Sequence, residues 1–217
     1  MLSRSIARSR LLAVPLAVAL LAAGCAGGGE AEPGSPETSS GAAPTSSAAL
    51  SSSAAPSSAS PTPVPASSTG PAENWPVPEM PAEAKEQTAE GLKAFVEYYF
   101  DLINYTGQTQ DSAPLKAVTS RSCELCATAF IDVADLNKEA GAWIVGGEHD
   151  VTVFTSHSEE AGTGIATFGV VVAPMTIYNS DGTLNGEAEE EEDILGAIST
   201  EFDDGWTVVG FDVSEDS

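Results

Sequence analysis

The chain has 217 residues, of which 32 are acidic and 8 are basic, and its formal net charge is −24 at pH 7. This balance excludes an electrostatic nucleic-acid interface, because such an interface requires a basic face. It also opposes adsorption to anionic lipid, so attachment to a membrane would need another means.

The first 24 residues have the parts of a secretory signal peptide. Arg4, Arg8 and Arg10 form its positive end, and residues 11–23 form an apolar segment that is too short to span a bilayer as a stable helix. Residues 1–24 are therefore predicted to be removed. Removal takes three of the eight basic residues and leaves five against 32 acidic ones, a mature charge of about −27.

Cys25 follows the small residues Ala23 and Gly24, which suit a signal-peptidase cleavage site, and its thiol can accept lipid. The segment resembles the bacterial lipoprotein lipobox, in which this cysteine carries a diacylglycerol and begins the mature chain. It departs from that motif at Ala22, where Leu is usual. We predict a lipid anchor on the outer face of the cell membrane; the alternative is ordinary secretion without lipid.

The segment that follows is predicted to be a disordered linker, residues 25–74. Ala, Ser, Pro, Gly and Thr dominate residues 26–72, and Leu50 and Val64 are the only large aliphatic residues there. So little apolar surface does not offset the entropy lost on ordering. A flexible chain of this length would have a reach of roughly 40 Å. The folded domain is predicted to span residues 75–217.

The first half of this domain has helical signals. Apolar residues recur at helical spacing after Pro81, although Gly91 argues against an unbroken rod. A short second helix is predicted over residues 111–118, with Pro114 in its first turn. A third is predicted from Ser122 as N-cap to Gly141 as stop signal.

The second half changes to a period of two, which is typical of strands. Asp181-Gly182 and Asp203-Asp204-Gly205 mark two chain reversals. Residues 187–193, rich in Glu, are predicted to form a solvated loop. Helices followed by antiparallel strands predict an α+β fold, with three helices packed on a curved sheet of about four to five strands. The predicted strands cover residues 143–145, 151–155, 165–178, 193–202 and 206–213.

Residues 89–99, with the sequence AEGLKAFVEYY, are followed by Cys123-Glu124-Leu125-Cys126. Together they resemble an uncharacterised family of actinobacterial lipoproteins. The order of helices and strands resembles the cone-shaped nuclear transport factor 2-like fold. That superfamily includes isomerases, hydratases and inert binding modules, so the resemblance implies no single activity. The lipoprotein family brings no known catalytic residues to this chain.

With Cys25 used for lipid, Cys123 and Cys126 remain as one pair, which is expected to be oxidised outside the cytoplasm. We predict a structural disulfide that closes a short loop and contributes about 2 kcal/mol. A redox-active pair is the alternative, although such motifs usually follow a strand in a βαβ unit. Metal binding is a weaker one, since His149 and His157 lack zinc-ligand spacing.

The histidines offer a further candidate. His149 and Asp150 could form a base and its orienting carboxylate, but neighbours on a strand point to opposite faces. Both His149 and His157 are predicted to lie on the surface. Residues 179–190 place oxygen ligands at calcium-loop spacing, yet Leu184 stands where such a loop needs Gly. No metal or cofactor is predicted.

The sequence has no motif that brings a nucleophile, a base and an oxyanion donor together. The leading hypothesis is therefore a non-enzymatic binding or accessory module at the cell envelope, with an envelope protein or a small molecule as partner. The alternative is an extracytoplasmic enzyme, either a thiol-disulfide oxidoreductase that uses Cys123 and Cys126 or an isomerase or hydrolase with a pocket in the cone. Aromatic residues are the candidate pocket lining; they are Tyr99, Trp143, Phe154 and Trp206.

Overall fold

The computed structural model describes residues 61–214. The predicted signal peptide, Cys25 and most of the predicted linker lie outside the described residues. The described part begins before the predicted domain boundary at residue 75. Its first residues form two antiparallel bridges, Val64 with Glu73 and Ser67 with Gly70. The indole nitrogen of Trp143 donates a hydrogen bond to the carbonyl oxygen of Ser67 at 2.8 Å and so attaches this segment to the domain.

The three predicted helices are present, and the third has three parts. Thr88 caps the first helix by accepting a hydrogen bond from the backbone of Gly91, and Gly141 ends the last in a left-handed conformation. Cys123, not the predicted Ser122, is the N-cap of the third. The helices are α1 (Ala89–Thr109), α2 (Ala113–Ala117), α3 (Glu124–Cys126), a π-helical turn (Ala127–Ile131) and α4 (Asp132–Ala140), with a 3-10 turn (Glu83–Lys85) before α1.

Gly91 does not interrupt α1, and its lack of a side chain has a steric reason. A Cβ atom at this position would lie 2.1 Å from the carbonyl oxygen of Glu86 and 2.8 Å from that of Glu83. The 3-10 turn can therefore pack directly on the start of α1 only because residue 91 is glycine. The weak helix former in the sequence marks a close backbone contact.

The described residues form seven strands in two antiparallel sheets, where a single sheet of four to five strands was expected. A three-stranded sheet has the order β1-β4-β5, and a four-stranded sheet has the order β2-β3-β6-β7. The strands are β1 (Trp143–Gly146), β2 (His149–Ser158), β3 (Thr163–Val172), β4 (Met175–Tyr178), β5 (Leu184–Ala188), β6 (Glu191–Phe202) and β7 (Trp206–Val213).

Two local features account for the extra strands. The segment predicted as one strand over residues 165–178 is divided at Pro174, which cannot donate a ladder hydrogen bond. The acidic segment predicted as a loop contributes to strands on both sides of Glu189 and Glu190, and Glu187 pairs with Thr176. Both predicted reversals are present, at the β4–β5 and β6–β7 connections.

The main core lies between α1 and the inner face of the four-stranded sheet. On β3, Ala166, Phe168 and Val170 are buried while Ile165 and Val171 are exposed, as alternation requires. The apolar stripe of α1 packs over this face, since its members recur every three or four residues. Its fully buried members are Leu92, Phe95, Val96, Tyr99 and Leu102.

Two glycines of α1 provide a matched test of the close contact between the 3-10 turn and the start of α1. We expect Gly91→Ala to lower the free energy of unfolding by about 1–3 kcal/mol, because the added methyl group overlaps backbone oxygen atoms. We expect Gly107→Ala to be neutral or to stabilise by up to about 1 kcal/mol, because its Cβ would meet no atom within 4 Å. Urea unfolding of both variants measures the difference, and equal effects would contradict the close contact at Gly91.

Candidate ligand-binding site

A cavity of about 690 Å³ lies between α1, α4 and strands of both sheets. Its volume falls within the range of pockets that hold small molecules. Most of its lining is apolar. The main apolar residues are Phe100, Ile103, Phe130, Val133, Ala134, Ile144, Val170, Val172, Met175, Ile194, Phe211 and Val213.

Aromatic rings form one wall of the cavity. The ring of Phe211 lies 6.0 Å from that of Phe100 and 5.6 Å from that of Phe130, measured between centroids. Phe168 packs behind them, with centroids 5.0 Å from Phe100 and 5.3 Å from Phe211. Tilted and edge-to-face contacts of this kind are favourable for aromatic rings. The wall is therefore held by the core and does not depend on a ligand.

The π-helical turn contributes to the same wall. Ala129 and Phe130 lie within it and line the cavity. A π turn adds a residue to the helical turn and changes which side chains face inward, and such turns are frequent at functional sites. The Phe130 ring also meets the His149 ring edge-on, with centroids 5.9 Å apart.

Gln110 supplies a polar group to the cavity wall. It follows α1 in a left-handed conformation with φ of 57°, and it is 4% exposed. Its amide nitrogen donates a hydrogen bond to the carbonyl oxygen of Gly107, while its Oε1 is buried and has no hydrogen-bond partner in the described part of the chain. Such an acceptor costs free energy unless a donor reaches it. Nothing in the sequence marks Gln110 as a site residue beyond its position at a helix end.

His149 also lines the cavity, and Asn104 fixes its backbone. The Asn104 side chain donates to the His149 carbonyl oxygen at 3.0 Å and accepts from the His149 backbone nitrogen at 2.8 Å. The ring packs between Phe100 and Phe130, and its Nδ1 is buried without a side-chain hydrogen-bond partner among residues 61–214. The prediction that His149 lies on the surface is therefore wrong, because this clamp holds the start of β2 against α1.

Burial lowers the pKa of His149, and it outweighs the opposing effects of the backbone at Gly147 and of the Glu148 carboxylate. The imidazole is thus neutral at pH 7. Its surroundings in the wall are the aromatic rings of Phe100 and Phe130. The inner wall that these residues form carries no formal charge.

The four aromatic residues predicted to line a pocket lie elsewhere. Tyr99 is fully buried in the core, where burial raises the pKa of its hydroxyl group to about 12 despite a hydrogen bond with Thr119. Trp206 is 3% exposed and its indole nitrogen donates to the carbonyl oxygen of Glu86 at 3.0 Å. Both are structural residues, because their polar groups are satisfied within the domain.

Trp143 and Phe154 are separated from the cavity by the sheets. Trp143 stacks on Tyr178, with centroids 5.4 Å apart, and holds the segment that contains Ser67. Phe154 lies at a β-bulge next to buried Val153 and is 58% exposed on the opposite face, where its ring covers Gly169. Phe130, which was predicted only as part of a helix, provides the cavity contact instead.

Cys123 and Cys126 are joined by a disulfide and belong to the core. Their exposures are 2% and 0%, and Cys123 Sγ accepts a hydrogen bond from the Cys126 backbone nitrogen at the start of α3. A reactive cysteine needs an accessible sulfur atom, whereas buried pairs are inert. The burial favours the structural role of this disulfide.

The other candidate polar groups are dispersed over the surface. His157 and Asp150 are exposed, and neither of them lines the cavity. The carboxylates that do line it are Glu191 and Glu192, both exposed.

The turn with calcium-like spacing is closed by its own side chains, since Asp181 Oδ1 accepts from the backbone and hydroxyl groups of Thr183 at 3.0 Å and 2.6 Å. Over residues 61–214, no group of three or more His, Cys, Asp or Glu side chains is arranged to hold a metal ion. In the same residues, no helix combines the length and apolarity required to cross a membrane.

A family of unknown function, DUF6318, matches residues 61–212. The chain belongs to this family. The match begins where the described structure begins, and it includes every residue that lines the cavity except Val213 and Ser214. The family therefore coincides with the folded domain.

No curated protein matches the chain. Two solved structures are distantly similar in fold. The intermembrane space region of the chloroplast protein ARC6 has a TM-score of 0.44 and 9% identity, over 60% of this chain and 99% of that one. A periplasmic fragment of TraM has a TM-score of 0.30 and 13% identity, over 56% of this chain and 84% of that one. At this distance neither carries a conclusion about function.

The burial of His149 predicts a pH dependence. Because its pKa is lowered in the folded state, stability is fully present above the unfolded value of about 6.5 and is lost as the pH falls from there through the folded pKa. We expect NMR titration of a His157→Gln variant, which leaves one imidazole, to give a midpoint below 6.5. An NMR midpoint above 6.5 would contradict a buried neutral ring. In urea unfolding, His149→Gln should reduce the loss of stability between pH 7.5 and 5.5.

Proposed function

We propose that this protein is a lipid-anchored, non-enzymatic binding module at the outer face of the cell membrane, and that its cavity holds a small, largely apolar ligand. The observation that carries this proposal is the cavity itself. Preformed, mainly apolar pockets with a few polar groups are the usual form of ligand sites. Here the polar groups of the inner wall include Gln110, Thr106 and His149, beside phenylalanine rings.

The location rests on the sequence and on cysteine chemistry. The signal peptide with Cys25 at its predicted cleavage site supports lipid attachment. The disulfide between Cys123 and Cys126 supports an oxidising compartment, because such bonds are rare in the cytoplasm. The composition of residues 26–60 supports a spacer between the membrane and the domain.

The cavity also agrees with the resemblance to cone-shaped folds, in which helices and a sheet enclose a pocket. That superfamily contains enzymes, and His149 in the wall would be the natural base for one. A catalytic histidine needs a partner that orients it, however. Within the described residues, no carboxylate forms a hydrogen bond with His149 Nδ1. This favours binding over isomerase or hydrolase chemistry.

A thiol-disulfide oxidoreductase is the other enzymatic alternative. It requires that an incoming thiolate reach one of the two sulfur atoms. The burial of both cysteines against the core opposes such an attack. We therefore assign Cys123 and Cys126 to stability.

The cavity is tested with a matched pair of substitutions in α4. Ala134 lines the cavity and is 2% exposed, whereas Ala140 is exposed on the same helix outside the cavity. We expect the mature chain, residues 25–217 with Cys25→Ser to prevent lipidation, to bind the neutral fluorescent probe N-phenylnaphthylamine. Ala134→Phe should weaken this binding at least about tenfold, since the ring occupies the cavity, and Ala140→Phe should not.

Melting curves of both variants check that they fold. Absence of probe binding to the parent chain, or equal binding by the two variants, would contradict a ligand-binding cavity.

The anchor is tested in the full chain by labelling cells with an alkyne fatty acid. We expect the label on the protein, and its loss in Cys25→Ser, because Cys25 is the predicted acceptor. The double variant Cys123→Ser/Cys126→Ser should keep the label. Mass spectrometry identifies the first residue of the mature chain. A first residue other than a lipid-modified Cys25 would refute the anchor.

A further inference from the structure

The cavity lining has an asymmetric distribution of charge. Its buried residues, among them Phe100, Ile103, Thr106 and Gln110, are uncharged. The charged lining residues are Glu191 and Glu192, which are exposed at the start of β6. The charge of the site is therefore negative and lies where the cavity meets solvent.

The cations of the domain do not offset this charge. The chain has five basic residues after the signal peptide, Lys85, Lys93, Lys116, Arg121 and Lys138, and all of them lie within the described residues. None is among the residues that line the cavity. Three of them form ion pairs elsewhere, with Glu97, Asp135 and Asp111. An anionic group at the rim would thus meet acidic residues, with no basic residue in the cavity lining to offset their charge.

The unused hydrogen-bonding capacity of the wall points in the same direction. Within residues 61–214, Gln110 Oε1 is an acceptor without a donor, and the Gln110 amide nitrogen already donates one hydrogen bond, to the Gly107 carbonyl oxygen. A ligand carboxylate or phosphate has only acceptors to offer, whereas an ammonium or hydroxyl group is a donor. Oε1 of Gln110 therefore favours a ligand that carries a donor over one that offers only acceptors.

The rim is also partly apolar. Val133 on α4 and Val213 on β7 line the cavity and are 41% and 42% exposed. Apolar side chains at the rim allow a hydrocarbon chain to continue from the interior to the surface. The carboxylates at the start of β6 would then meet the polar end of such a chain.

We infer that the ligand is an amphiphilic amine, with its hydrocarbon chain in the cavity and its protonated amino group beside Glu191 and Glu192. This inference rests on the proposed binding function and adds the chemical class of the ligand. The ammonium group pairs with the carboxylates and donates hydrogen bonds to them. The chain removes apolar wall surface from water.

Three probes with the same hydrocarbon chain separate charge from apolar contact. Decylamine, decanol and decanoate are titrated into the mature Cys25→Ser chain by calorimetry at low ionic strength, below their aggregation concentrations. We expect decylamine to bind more tightly than decanol, and decanol more tightly than decanoate. The ratio between the amine and the carboxylate should be about tenfold or more, since the negative charge at the rim attracts one head group and repels the other.

Two double variants test whether the rim carboxylates cause this order. Glu191→Gln/Glu192→Gln should bring the three affinities to within about threefold of one another. Glu159→Gln/Glu160→Gln removes the same charge from the β2–β3 turn, outside the cavity, and should keep the order. Because the whole domain is acidic, this control separates the site from general attraction of cations.

Each outcome has a distinct meaning. Failure of all three probes to bind would reject the proposed binding function. Binding of all three with equal affinity would leave that function in place and reject the amine. Unchanged decylamine binding by Ala134→Phe would show adsorption outside the cavity and would also reject the inference. Loss of the preference only in Glu191→Gln/Glu192→Gln would support it.

Discussion

The contact of Phe100 on α1 with Phe168 and Phe211 on the four-stranded sheet is the interaction on which the rest of the domain depends. The ring centroids are 5.0 Å and 6.0 Å apart, and all three rings are at least nine-tenths buried. Each such pair adds about 0.5–1.5 kcal/mol to the gain from burial. One side of this cluster is continuous with the core, and the other side is the wall of the cavity. Stability and the binding surface therefore share the same residues.

The cavity lies next to this phenylalanine cluster, between α1, α4 and strands of both sheets. The Asn104 side chain holds the start of β2 to α1. Gly146 and Gly147 connect β1 of the three-stranded sheet to β2 of the four-stranded sheet. Both glycines have φ of 78°, and a Cβ on Gly146 would lie 2.2 Å from the carbonyl oxygen of Pro174. The π-helical turn then brings Phe130 against the ring of His149. These contacts fix β2, the end of β1 and the π-helical turn, all of which contribute residues to the cavity lining.

Much of the fold follows from local patterns, and most of the site does not. The spacing of Leu92, Phe95 and Tyr99 predicts the buried face of α1, and the turn at Asp203-Asp204-Gly205 predicts the last hairpin. The site depends on contacts between distant residues, such as Asn104 with His149, 45 residues apart. No periodicity encodes such a pair. Phe154 was assigned to a pocket by its aromatic character, but a position adjacent to buried Val153 on a strand faces the other side of the sheet.

The central claim is that ligands enter the cavity between the helices and the sheets, and methyl NMR tests it most directly. On addition of N-phenylnaphthylamine to the mature Cys25→Ser chain, the methyl signals of Ile103 and Val170, which line the cavity, should shift. The signals of Ile165 and Leu195, which are about half exposed, should not. Shifts confined to Ile165 and Leu195 would contradict the account, because they would place the apolar binding surface around Phe154 on the outside of the sheet.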